Sequence, residues 1–318
     1  MKRFLIIQTA FLGDVILATP VVSELKRIYP ECIIDFTVRK GNESLLENNP
    51  KINSVFIWNK KEGKYKALFG IIKQIRKQRY TEVINLHRFA SSGLITLFAK
   101  ADKKIGFNKN PLSFLYTLKY NHKIGNGQHE VERNLTLIEL HGVKTKVRPE
   151  LFPSQKHFEK IEQFTKIPFI CFSPASVWFT KQLPIEKWIA LGKKYTSKTI
   201  YLLGGPADAS LCKSIQEKLP NAITLAGKLS LLESAALISK SERSYVNDSG
   251  PLHISSAMNT PTTAFFCSTV PEFGFGPLAD NSKIISQSLS CKPCGLHGYK
   301  SCPENHFNCG NTIDTSAL

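Results

Sequence analysis

Three short stretches of this chain carry the residue types that can hold a phosphate or move a proton. The latest, Asp248-Ser249-Gly250-Pro251-Leu252-His253, follows the apolar pair Tyr245-Val246. It reads as a strand end turning into a helix, because Pro251 suits a first helical turn, where a missing N–H leaves nothing unpaired. The free N–H groups of that turn and the positive end of the helix dipole would face a docked phosphate, with His253 one turn further in as another donor. The same six residues also read as an ordinary Ser/Asp-capped helix. In the second stretch, Ser173-Pro174-Ala175-Ser176 and then Thr180-Lys181 precede Pro184. Hydroxyls and a lysine at the carboxyl edge of a sheet suit a pyrophosphate that gains charge, although Lys181 reads equally as a solvated surface residue. Gly204-Gly205 after Leu203 either lets a nucleotide approach the backbone closely or simply makes a turn. The third stretch, Gln8-Thr9-Ala10-Phe11-Leu12-Gly13-Asp14, sets a carboxylate beyond the first strand. Asp14 is then a helix N-cap, a general base, or both. The stretch has neither the glycine spacing of a dinucleotide fingerprint nor a Walker loop.

These residues need a scaffold, and the pattern of the chain supplies one. Apolar runs at Phe4–Gln8, Ile33–Val38, Val55–Trp58 and Val83–Leu86 alternate with amphipathic stretches, followed by Leu94–Ala99 and a helix over Val131–His141. In the first helix Ala18, Val21, Val22, Leu25 and Ile28 share one face, while Thr19-Pro20 either kinks it or caps a restart. After Pro168 the alternation starts afresh: Phe169–Phe172, a helix near Ile185–Tyr195, Thr199–Leu203, a helix near Ala207–Leu219, Ala222–Leu225, Leu231–Ser239, Ser244–Val246, the helix after Gly250, and Thr262–Phe266. The expected fold is α/β, with two doubly wound parallel sheets in domains 1–155 and 156–318, a linker between about 145 and 167, and ligands in a cleft at the carboxyl ends of the strands.

Net charge is +17 over 318 residues, and it is uneven. Residues 1–150 hold 26 Lys and Arg against 13 Asp and Glu, whereas residues 151–318 hold 16 against 12. Lys60, Lys61, Lys64, Lys66, Lys73, Arg76, Lys77 and Arg79 interleave with Leu68, Phe69, Ile71, Ile72 and Ile75 at helical spacing. Such a helix either packs on a core with a solvated basic face or lies against anionic lipid headgroups, where each basic residue contributes roughly 1 kcal/mol. No apolar run is long enough to span a bilayer, and Phe4–Ile7 is too short for a signal peptide, so a cytoplasmic location is expected. Of eight cysteines, Cys32, Cys171, Cys212 and Cys267 sit in or beside apolar runs and read as inert core residues. Cys291, Cys294, Cys302 and Cys309 form C-x2-C-x7-C-x6-C, which could hold zinc or be a reduced structural cluster.

Taken together, Leu12-Gly13-Asp14 with Pro20, Lys181 with Pro184, and Asp248-x-Gly250-x-x-His253 resemble the ADP-heptose:lipopolysaccharide heptosyltransferases of glycosyltransferase family nine. The resemblance extends through Phe273-Gly274-Phe275-Gly276-Pro277 and the cysteine-bearing tail. It departs at Ser176-Val177, where some members carry two adjacent hydroxyl residues, and at Leu183, where many carry an aromatic. It implies a GT-B architecture of two facing Rossmann-like domains and inverting transfer of a heptose from an ADP-sugar co-substrate to the lipopolysaccharide inner core. No further cofactor is implied, because protein cations and a helix dipole can neutralise the leaving ADP.

By the same resemblance Asp14 would be the general base and Lys181 the group on the leaving diphosphate. Ser176, Thr180, Gly204, Gly205, Asp248, Ser249, Gly250, Pro251, Leu252 and His253 would line the donor site. Gly13, Arg88, Lys109 and Arg133 are the acceptor-side candidates, and the basic half would meet an anionic acceptor at the cytoplasmic face of the inner membrane. Two other readings compete. One is a different GT-B sugar transferase or a nucleotide-sugar epimerase, to be told apart by nucleotide preference. The other is a nucleic-acid-binding protein with a zinc module, which is disfavoured because the basic half lacks the late cysteines and no RNA-binding aromatic signature accompanies it.

Overall fold

A computed structural model describes residues 1–144 and 146–315, without the side chains of Glu62 and Lys64. Thr145, where the linker was expected to begin, and the last three residues of the second domain lie outside the described residues. The chain forms two compact units, Met1–Ile124 with Glu130–Phe152, and Gly125–His129 with Pro153–Leu318.

The first unit is built on strands β1 (Arg3–Ile7), β2 (Ile33–Arg39), β3 (Ser54–Trp58), β4 (Arg79–Asn85), β5 (Lys100–Phe107) and β6 (Leu118–Tyr120), in the order β3-β2-β1-β4-β5-β6. Every pairing is parallel. Phe4, Leu5, Ile6 and Ile7 are all fully buried, as a strand covered by helices on both faces requires. Chain order reverses between β1 and β4, so the loops that leave their carboxyl ends border the crevice where doubly wound sheets bind ligands.

At the first of these loops the helix is interrupted and restarted. Leu12–Ile16 ends, the Thr19 hydroxyl donates to the Ile16 carbonyl at 2.7 Å, and Thr19–Ile28 begins with Pro20 in its first turn. The basic helix is Lys64–Ile75. Leu68, Ile71, Ile72 and Ile75 form its i, i+3, i+4, i+7 stripe against the core. Phe69, grouped with them in the sequence, lies about 100° off that stripe and is 65 % exposed, one turn from Tyr65 at 68 %. The Lys64 side chain lies outside the described residues.

The second unit repeats the topology with β7 (Phe169–Ser173), β8 (Thr199–Leu202), β9 (Ala222–Thr224), β10 (Ser244–Asn247), β11 (Thr262–Phe266) and β12 (Ser282–Ser286), ordered β12-β11-β10-β7-β8-β9. All of its pairings are parallel too. Its core packs Phe172 tilted against Trp188 and Trp188 edge-on to Phe265, at ring separations of 5.2 and 5.3 Å. The reversal falls between β7 and β10, which pair from Ser244 opposite Cys171 to Val246 opposite Ser173.

Several elements differ from the reading of the sequence. The expected helix over Val131–His141 is the helix Glu130–Thr136 followed by a 3-10 turn at Glu139–His141. The expected linker holds a helix, Gln155–Ile161. Strands β5, β6 and β12 went unread, because β5 opens Lys-Ala-Asp-Lys-Lys and the other two are short or half-exposed, so none shows a buried apolar run. Cys32, Cys171, Cys212 and Cys267 are buried, as expected of inert core thiols. Burial pushes Cys171 and Cys212 up to about 12, far from the reactive thiolate.

Cys291, Cys294, Cys302 and Cys309, expected to form a zinc set or a reduced structural cluster, are free thiols. Among the described residues no set of three or more His, Cys, Asp or Glu side chains is placed to hold a metal ion. Cys309 is a core residue and Cys302 packs against that core.

Candidate functional site

The expected residues gather at the switch point of each sheet, and the two groups differ in chemistry. In the first unit, the loop after β1 sets Asp14 at the third position of the helix Leu12–Ile16 rather than at its cap. Its carboxylate accepts the Phe11 N–H at 3.0 Å, so it satisfies the start of the helix from within. The side chain is half-buried. Desolvation, reinforced by the negative charge of Glu130, raises its pKa from 3.8 to about 6, against the pull of two backbone N–H bonds and of Arg39.

Glu130 holds its charge despite burial. Both of its oxygens lie 3.2 Å from His122 Nε2, and Arg133 Nε donates to one of them at 2.7 Å. Burial alone would raise its pKa, but these partners hold it below the usual carboxylate range. A carboxylate with a pKa about 6 is largely ionised at neutral pH and still basic enough to take a hydroxyl proton in a transition state.

The loop after β4 supplies the neighbouring wall. His87 Nδ1 lies 2.8 Å from the Thr9 hydroxyl, and burial together with Lys60, Arg88 and Arg39 lowers its pKa to about 4, so it is neutral. Arg88 is exposed beside the Phe89 ring, 5.3 Å from its centroid. Lys109 is exposed and Gly13 half-buried. Arg133 does not fit an acceptor-binding role. It is 1 % exposed and spends its guanidinium on Glu130 and on the Lys123 carbonyl, so it acts on Asp14 only through Glu130.

In the second unit, β10 delivers Asp248, the cap Ser249, and a helix Gly250–Ala257 with Pro251 in its first turn, as the sequence suggested. Pro251 has no N–H and Leu252 gives its own to the Ser249 carbonyl at 3.0 Å. The anion seat therefore narrows to the N–H groups of Ser249 and Gly250. Leu252 is fully buried and His253 is 5 % exposed, which leaves only an edge of the imidazole within reach of a ligand.

Lys181 comes from the loop after β7, and its Nζ lies 2.7 Å from Asp248 Oδ2. Thr269 donates to that same oxygen at 2.6 Å. Ser176 is half-buried, with its carbonyl accepting the Gln182 amide at 2.7 Å. Thr180 is a correction to the donor list. It is fully buried, and its hydroxyl accepts from the Tyr299 N–H at 2.8 Å and the Ser268 hydroxyl at 3.0 Å, so it cannot face a ligand. Gly204 meets its own chain, since an added Cβ would come within 2.8 Å of Asp208 Cβ, while the Asp208 carboxylate accepts the Gly205 N–H at 2.8 Å. The pair forms a tight turn after β8, with Gly205 exposed.

Sequence reasoning missed His87, Glu130 and Ser268-Thr269. His87 and Ser268-Thr269 lie just past the ends of β4 and β11, where a parallel sheet collects its ligands. Glu130 and Arg133 stand three apart on one helix face, an ion-pair spacing readable from the sequence.

Comparison with known proteins identifies the family and the fold. Residues 68–303 match the family model described as glycosyltransferase family 9 (heptosyltransferase). The lipopolysaccharide core heptosyltransferase OpsX of Haemophilus influenzae is 26 % identical over 275 residues, covering 83 % of this chain and 79 % of its own. The structure of Escherichia coli ADP-heptose lps heptosyltransferase II superposes with a TM-score of 0.79 at 21 % identity, covering 98 % of both chains. That of E. coli heptosyltransferase WaaC with ADP gives 0.74 at 20 %, covering 89 % of this chain and 92 % of the other. The fold is therefore GT-B, and the chain is a glycosyltransferase belonging to family 9, the heptosyltransferases.

Proposed function

We propose that this enzyme moves heptose from ADP-heptose to the inner core of lipopolysaccharide, with inversion at the anomeric carbon. Asp14 takes the proton of the acceptor hydroxyl as its oxygen bonds to the anomeric carbon. The bond from that carbon to the β-phosphate oxygen breaks, and its electrons leave with ADP. Lys181 and the N–H groups of Ser249 and Gly250 stabilise the negative charge that grows on the diphosphate.

The observation that carries this reading is the contrast between Asp14, poised at about 6, and Lys181, set at a helix N-terminus on the other switch point. One is suited to remove a proton and the other to hold an anion. The relatives named for the lipopolysaccharide core and for ADP-heptose support the choice of substrates. Titration calorimetry with ADP, UDP and GDP tests the donor: ADP is expected to bind at least tenfold more tightly than UDP, and preference for UDP would assign a different sugar nucleotide.

We further propose an anionic partner, and not nucleic acid, for the basic half. Arg88 and Lys109 are exposed for the phosphates of the core. The outward face of Lys64–Ile75 presents Lys66, Phe69 and Lys73, with Tyr65, to the anionic cytoplasmic surface of the inner membrane. Among the described residues no helix is long and apolar enough to cross a membrane. Sedimentation with phosphatidylglycerol vesicles should capture the protein and phosphatidylcholine vesicles should not; equal capture by both would remove the electrostatic contact.

A further inference from the structure

Lys181 is held at both ends by one buried dipeptide. Ser268-Thr269 follows β11, and both residues are buried, at 0 and 1 % exposure. At the ammonium end, the Thr269 hydroxyl donates to Asp248 Oδ2 at 2.6 Å, the oxygen that also receives Lys181 Nζ at 2.7 Å. At the backbone end, the Ser268 N–H donates to the Thr180 carbonyl at 3.1 Å and the Ser268 hydroxyl to Thr180 Oγ1 at 3.0 Å.

The cysteine-bearing tail closes the remaining side. Thr180 and Tyr299 exchange bonds, with the Thr180 N–H to the Tyr299 carbonyl at 3.1 Å and the Tyr299 N–H to Thr180 Oγ1 at 2.8 Å. The Cys294 N–H returns to the Ser268 carbonyl at 3.2 Å. Gly298, at φ +81°, lies so close that a Cβ there would stand 2.9 Å from Lys181 Cγ and 3.1 Å from Thr180 Oγ1.

We propose that Ser268-Thr269, backed by Gly298-Tyr299, is the positioning element of the donor lysine. It fixes where the ammonium stands before the diphosphate arrives. A flexible lysine would otherwise lose rotamer freedom on binding. A carboxylate oxygen shared with a buried hydroxyl holds the side chain extended in advance. The arrangement also gives the tail a task, since its backbone braces the lysine loop. This inference rests on the reading of Lys181 as the diphosphate-binding group.

The test compares Thr269→Val, which keeps shape and loses the hydroxyl, with Thr269→Ser, which restores it, using ADP and adenosine as probes in titration calorimetry. Thr269→Val is expected to weaken ADP binding three- to tenfold, leave adenosine unchanged and keep the melting temperature within a few degrees, with Thr269→Ser within twofold of wild type. Gly298→Ala, whose Cβ would press on Lys181 Cγ, should weaken ADP in the same selective way. Equal ADP affinity in wild type and Thr269→Val, or equal losses of ADP and adenosine, would overturn the proposal. The reading beneath it fails differently: if Lys181→Ala binds ADP as wild type does, Lys181 is not the diphosphate group at all.

Discussion

The two sheets share one strand order and place an aspartate just past the end of a strand beside the switch point, yet the two aspartates have opposite surroundings. Burial, with the negative charge of Glu130 nearby, pushes Asp14 up to about 6. Asp248 stands against Lys181 at 2.7 Å and receives the Thr269 hydroxyl. Topology fixes where a functional loop emerges, but burial and the sign of the neighbouring charge decide what a carboxylate there can do. Burial with a like charge nearby suits Asp14 to the part of a base. An opposite charge makes Asp248 an anchor for a cation.

That contrast can be broken from either side. The largest effect is expected from Asp14→Asn, which keeps an acceptor for the Phe11 N–H and removes the base. Turnover should fall by about 10³-fold while ADP affinity stays within twofold, within the range that general-base removal typically gives. Residual turnover near that of wild type would strip Asp14 of its role. Lys181→Ala is the converse. It should weaken ADP binding by about 10- to 100-fold, as loss of a charge-assisted contact does, and leave Asp248 without its cation.

Two smaller effects sharpen the account of Asp14. In Glu130→Gln the like charge is gone, so the acidic limb of the rate profile should move below that of wild type, by about one unit or less; an upward move would contradict the assignment. The second effect is on stability. A carboxyl whose folded pKa is raised from 3.8 to about 6 favours folding in its protonated form, and that contribution is lost as pH rises through 6. The charged form therefore opposes folding at pH 8. Asp14→Asn should stabilise the protein there by about 1–3 kcal/mol and make little difference below pH 4. Urea unfolding at the two pH values reads this directly.

Much of the scaffold was legible in the sequence, because fully buried parallel strands are written as unbroken apolar runs such as Phe4–Ile7 and Phe169–Phe172. The helix start at Gly250-Pro251 was equally plain. Edge strands β6 and β12 were not, since half their residues face water and carry no period that separates them from loops. Phe69 shows the limit of composition, because an apolar residue in an apolar stretch need not point inward when the stripe beside it already fills the core.

Within the site, Asp14, Lys181 and Asp248 could be picked out because each sits just past a strand. What each one touches could not. Thr180 and Arg133 are the right residue types in the right neighbourhoods, but burial and hydrogen bonding turn both inward. Tyr299 and Ser268 meet Thr180 only once the chain has folded, and Glu130, the partner of Arg133, draws in His122 from outside its helix.

The central claim is that Asp14 is the group whose ionisation gates transfer. Its most direct test is the rate of heptose transfer from ADP-heptose between pH 5 and 9, in wild type and in Asp14→Asn. Wild type is expected to lose rate as pH falls through about 6, while the variant stays low without that limb. A variant profile that retains the limb and the wild-type rate would contradict the account.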